Sequence, residues 1–116
     1  MNIHIDLFKY LCYHWETNLR FDFRSRDLLL LYTEERNARR YPPGVIDSFF
    51  DVMAIIANAT NETDIRAFKS LHFEKLSGER RGQYSLRLNK QYRLIIQIET
   101  DASGKLVWII EIVDYH

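Results

Sequence analysis

Near residue 70 the spacing of the apolar residues changes from helical to alternating for the rest of the chain, and that change limits the folds open to it. Before it, Val45, Phe49, Val52, Ile56 and Ala59 recur at helical spacing, flanked by Ile46, Phe50 and Met53. They form a wide apolar stripe that must pack on a sheet or another helix. After it the period is two. Tyr84, Leu86 and Leu88 alternate with Gln83, Ser85 and Arg87, and Tyr92, Leu94, Ile96 and Ile98 alternate with Arg93, Ile95, Gln97 and Glu99. Such alternation is that of strands with one buried face. Helices followed by a run of hairpins predict an α+β fold, with the helices on one face of a curved sheet and the other face free to bind something.

Local signals set the expected boundaries. Residues 18–24 alternate and read as a strand. Ser25 can cap a helix over 26–40 whose basic last turn, Arg36, Arg39 and Arg40, suits the negative end of the helix dipole. Pro42 and Pro43 stop it, and Pro43 can open the next helix. Residues 60–69 read as a turn plus a short helical piece, 71–76 as a strand and 77–82 as a charged turn. Asn89-Lys90 and residues 101–104 read as hairpin turns. The last strand, 105–113, is apolar on both faces except at Glu111, which predicts a central position. Ile3, Leu7, Tyr10, Leu11 and His14 share a helical face, so an added N-terminal helix is expected. The expected whole is two N-terminal helices on one face of a mainly antiparallel sheet of four or five strands. Residues 1–17 would be an extension packed on a domain of residues 18–116. Strand parity puts His72, Arg87 and Arg93 on the free face, and Lys75 opposite His72 unless the strand is bulged there.

At 116 residues the chain suits one domain, and 47% apolar residues are enough for a core. Its single cysteine, Cys12, can form no disulfide within the chain, which points to a reducing compartment and to a packed thiol. No apolar run approaches the ~20 residues of a membrane span. Residues 1–10 carry Asp6 and no basic stretch ahead of an apolar one, so no leader is expected and a cytoplasmic location is. No His, Cys and carboxylate set has ligand spacing, so neither a metal nor a cofactor is expected. The zero net charge speaks against a general nucleic-acid binder. Its distribution is uneven, however. Residues 70–96 hold six basic side chains (Lys75, Arg80, Arg81, Arg87, Lys90, Arg93) against Glu74 and Glu79, and the segments on either side are net negative.

Residues 71–94, LHFEKLSGERRGQYSLRLNKQYRL, resemble the HigB branch of the RelE/ParE toxin superfamily, whose pattern is L-H-x-x-K, G-D-R-x-G-x-Y/W-S-I-R, N-x-Q-W-R-I. The ending Val113-Asp114-Tyr115-His116 resembles that branch's D-Y-H, and Glu34-Glu35-Arg36 with Arg39-Arg40-Tyr41-Pro42 resembles the helix junction of one subgroup. The likeness covers roughly residues 18–116 and is densest over 71–94. Tyr92 stands where the pattern has Trp and Glu79 where it has Asp, and residues 1–16 extend beyond its usual start.

The resemblance implies the toxin of a type II toxin–antitoxin system, a ribosome-dependent and metal-independent endoribonuclease that cuts translated mRNA. Such cleavage uses the substrate's own 2′-hydroxyl as nucleophile. It needs a proton acceptor, a cation for the charge gathering on phosphorus, and an acid for the departing 5′-oxygen. Histidine ordinarily titrates near neutrality, arginine offers a planar fork for phosphate, and tyrosine stacks on bases. By the resemblance His72 and His116 share the proton transfers, with His72 the acid, and Arg93 clamps the scissile phosphate. Lys75 stabilises charge or assists as base, and Tyr115 positions the nucleotide. Arg80, Arg81, Arg87 and Lys90 hold the RNA backbone. The implied partners are a HigA-type helix-turn-helix antitoxin, the ribosome and mRNA, with operator DNA touched only through the antitoxin complex. Two alternatives remain open at this point. One is a ParE-like poison of DNA gyrase, and the other is a catalytically degenerate toxin acting only in autoregulation with its antitoxin.

Overall fold

The computed structural model describes residues 19–115. The expected N-terminal helix, the boundary at residue 17, Cys12 and His116 lie outside them. The chain runs β1 (Arg20–Phe23), α1 (Arg26–Glu34), α2 (Pro43–Asn58), α3 (Glu62–Arg66), β2 (Glu74–Lys75), β3 (Gln83–Arg87), β4 (Tyr92–Asp101) and β5 (Gly104–Asp114). The five strands form one sheet in the order β1-β5-β4-β3-β2. β1 runs parallel to β5 and every other pair is antiparallel. The α+β architecture with helices against one sheet face is therefore as the sequence implies, and β5 is interior.

The core lies between the helices and that face. Leu28 and Leu31 of α1, Val45, Phe49, Val52, Met53 and Ile56 of α2, and Ile65 of α3 meet Leu86, Leu94, Ile96, Val107 and Ile109 of the sheet, all buried. The α2 stripe read from the sequence is the central plank of this contact. Pro43 opens α2 at its first position, and the Ser25 hydroxyl accepts from the Leu28 amide (3.2 Å) to cap α1. Asn61 caps α3 in the same way through the Asp64 amide (3.3 Å). The β4–β5 turn is closed by Gly104 at φ 113°, a conformation that side chains resist. In that turn the Asp101 carboxylate accepts from Arg20 (2.7 Å) and from the Ser103 amide (2.8 Å). The Arg20 hydrogen bond holds the Asp101 carboxyl below its usual range.

Two expected elements differ from those observed. The helix expected over 26–40 ends at Glu34, because Glu35 (φ 55°) and Asn37 (φ 69°) turn left-handed. A 3-10 turn, Ala38–Arg40, then folds back on the first turn of α1, where Arg40 pairs with Asp27 and the Asn37 amide group reaches the Asp27 carbonyl (3.4 Å). The basic cluster therefore does not sit on the helix dipole. The strand expected over 71–76 is reduced to Glu74–Lys75, preceded by a 3-10 turn, Lys69–Leu71. His72 follows that turn in the left-handed region, at φ 46°. Histidine is among the residues that tolerate this region, and holding it there places the imidazole without help from strand parity.

A β-bulge decides what the free face carries. β4 and β5 pair Ile96 with Ile109 but Ile95 with Glu111, so Ile110 is the extra residue. A bulge reverses the alternation beyond it. Val107 and Ile109 face the helices before the bulge and Ile112 does so after it, which sends Glu111, Val113 and Tyr115 toward the free face.

Candidate active site

Arg87 and Arg93 sit directly opposite each other on β3 and β4, on the face away from the helices. Two like charges in that register repel unless something negative or accepting lies between them. Each guanidinium is held by neighbours. Arg87 Nη1 lies 3.2 Å from His72 Nε2, and its Nε donates to the Asn89 carbonyl (3.3 Å). A guanidinium can only donate, so a hydrogen bond here requires the tautomer in which Nε2 accepts. Arg93 is the deeper cation, with a side chain 18% exposed. Its Nη1 donates to the hydroxyl of the fully buried Ser85 (3.1 Å), lies 3.6 Å from Glu74 Oε1, and its guanidinium sits 5.1 Å from the centre of the Tyr115 ring. Ile95, also fully buried, is the apolar floor beside Ser85.

The tyrosine is brought there by the chain end being tied to the β3–β4 turn. Asn89 Oδ1 accepts from the amides of Gln91 (2.8 Å) and Tyr92 (2.7 Å) and so shapes that turn. Gln91 in turn donates to both Asp114 carboxylate oxygens (3.1 Å each), and its carbonyl accepts from the Tyr115 amide. The bulge supplies the parity and this clasp the position. Tyr115 remains 44% exposed.

His72, Arg87, Arg93 and Tyr115 thus converge, and other residues expected at the site do not. Lys75 pairs with Tyr84, which packs on the core side of the sheet, while its neighbour Glu74 pairs with Ser85 on the free side. Successive strand residues point to opposite faces, so Glu74 takes the place near Arg93 and Lys75 leaves from the other side. Arg80 is on the free face but is occupied by Gln83 (2.8 Å) and by an ion pair with Glu111. Arg81 and Lys90 are exposed at opposite ends of β3. At ~3.3 Å per residue that strand alone runs about 13 Å from Gln83 to Arg87, with Arg81 in the turn before it. The basic segment seen in the sequence is therefore spread along the sheet, and only its Arg87 and Arg93 meet. Ser85 and the Gln91–Asp114 clasp escaped sequence reasoning. A buried serine among alternating residues carries no signal of its own, and the clasp joins a turn to the chain end only after folding.

The arrangement has parts suited to holding a phosphodiester: two guanidinium forks side by side, an imidazole beside one of them, and an aromatic ring at the edge. The solved structure of YafQ from E. coli superposes with a TM-score of 0.54 over 84% of this chain and 93% of that one, at 10% identity, a likeness of fold alone. A family profile described as the RelE-like toxin of the type II toxin–antitoxin system HigB matches residues 21–116. Toxin HigB-1 of Vibrio cholerae serotype O1 is 34% identical over 76 residues, 66% of this chain and 80% of that relative. The fold is that of RelE-like toxins, and the chain belongs to their HigB-like family, the toxins of type II toxin–antitoxin systems.

Proposed function

We propose that the protein is a ribosome-dependent, metal-independent endoribonuclease that cuts translated mRNA and thereby arrests growth. The observation that carries this reading is the meeting of His72, Arg87, Arg93 and Tyr115 on the free face of the sheet. In the reaction the 2′-hydroxyl loses its proton and its oxygen attacks phosphorus. The bond from phosphorus to the 5′-oxygen then breaks, and that oxygen takes a proton. The products are a 2′,3′-cyclic phosphate and a 5′-hydroxyl. His72 and His116 share the two proton transfers, with His72 the acid that protonates the departing 5′-oxygen. Arg93, fixed from beneath by Ser85, binds the scissile phosphate and offsets the charge that develops on it. Arg87 holds His72 and an adjacent phosphate, and Tyr115 stacks on a neighbouring base.

The family description supplies an antitoxin as partner. We assign it to the HigA type, a helix-turn-helix protein whose complex with this chain binds operator DNA. Arg81 and Lys90, both exposed, serve as backbone contacts outside the cluster. Lys75, on the far side of the edge strand, contributes through general attraction of the polyanion.

The test is pulsed expression without an antitoxin, with 5′ ends of cellular transcripts mapped by primer extension. New ends inside translated reading frames are expected, and they should vanish in a His72→Ala, His116→Ala double variant. Growth arrest without new ends, undiminished in that variant, would move the target to gyrase. Harmless expression would point to a module that acts only with its antitoxin.

A further inference from the structure

Arg93 has one partner that cannot leave and one that can. Ser85 is fully buried, and its hydroxyl pins the guanidinium from the inside. Glu74 stands on a two-residue edge strand, its side chain is 58% exposed, and its carboxylate meets the same Nη1 at a loose 3.6 Å. An exposed ion pair of that length is weak and easily exchanged. Its charge lies beside the guanidinium nitrogen that an incoming phosphodiester would need. A carboxylate and a phosphate oxygen compete for the same guanidinium edge.

We propose that Glu74 is a built-in competitor for the phosphate at Arg93. In the free protein it sits against Nη1 of that guanidinium and keeps affinity for unpresented RNA low. Only a strand delivered with further contacts, as on a ribosome, displaces it. This rests on the nuclease reading above and adds a selectivity device to it. Glu74 is a positioning and gating residue, with no part in the proton transfers. Its own repulsion of the phosphate also pushes the displaced carboxylate outward, away from the sheet, where its exposure leaves room.

The experiment measures binding of a short fluorescent 2′-O-methyl RNA strand, which has no free 2′-hydroxyl and cannot be cut. Wild type, Glu74→Gln, Arg93→Ala and the double variant are compared at low salt by anisotropy. Glu79→Gln serves as a control that removes an equal charge from an exposed turn. Glu74→Gln should bind about 5-fold tighter than wild type, the upper range for an exposed charge contact. The gain should disappear in the Arg93→Ala background and shrink at about 0.5 M salt. Melting of Glu74→Gln should match wild type closely, so that a folding effect is not mistaken for a gate.

A gain that persists without Arg93, or an equal gain in Glu79→Gln, would reduce the effect to net charge and overturn the proposal. Binding that depends on Arg93 but is unchanged or weakened in Glu74→Gln would remove the gate and leave the nuclease reading standing. Failure of every protein to bind, Glu74→Gln included, would overturn the gate, while the nuclease reading would stand or fall on cleavage by programmed ribosomes.

Discussion

Arg93→Ala is expected to lower mRNA cleavage by roughly 10²–10³-fold, the loss typical when a preorganised donor to developing charge is removed. The fold should survive. Truncation leaves the buried Ser85 hydroxyl without its partner, at a cost of about 1 kcal/mol. It also removes the like-charge neighbour of Arg87, which offsets part of that cost. Thermal melting of the variant should therefore stay close to wild type while activity collapses. Arg93→Lys should recover only part of the rate, because an ammonium keeps the charge but lacks the planar fork that can hold Ser85 and a phosphate together. Kinetics on programmed ribosomes, read beside melting curves, separate these effects. An Arg93→Ala protein with near-normal cleavage would show that the cluster is not the seat of the phosphate.

The second large effect lies in the core and has the opposite signature. Phe49 is fully buried at the middle of α2, with the Phe50 ring 5.4 Å away at 72°. Phe49→Ala should destabilise the domain by about 3–5 kcal/mol through lost burial and a residual cavity. Small domains are stable by only ~5–15 kcal/mol, so the loss is a large share of the total. Urea denaturation should show a much lower midpoint with little change in slope. Toxicity should fall with the folded fraction and return on cooling or with osmolyte, which no loss of a site residue would do. A midpoint near that of wild type would mean that the α2 stripe is not the plank on which the sheet rests.

The contrast between these two positions also explains what was legible in the sequence. The α2 stripe was readable because its apolar residues repeat at one period over four turns and burial enforces that period. The meander was readable for the same reason, through Tyr84, Leu86, Leu94 and Ile96. Arg87 and Arg93 followed from parity alone. The end of α1 was not legible, because Glu35 and Asn37 turn left-handed in a context where Arg40 finds Asp27, a contact formed only after folding. His72 was placed on the correct side for the wrong reason. It reaches Arg87 from a left-handed residue after a 3-10 turn rather than from a strand. The bulge at Ile110 was hidden because β5 is apolar on both faces, so its sequence contains no alternation whose reversal could be noticed. That bulge brings Tyr115 to Arg93, a position the alternation of β5 gave no means of reading.

The measurement that bears most directly on the central claim is the chemistry of the cut ends. Purified protein, free of antitoxin, would be added to ribosomes programmed with a defined mRNA, and the new termini analysed. The account predicts a 2′,3′-cyclic phosphate or its 3′-phosphate on one side and a 5′-hydroxyl on the other, formed by wild type and lost in Arg93→Ala. Intact mRNA at saturating wild-type protein, or ends bearing a 5′-phosphate and a 3′-hydroxyl, would contradict it.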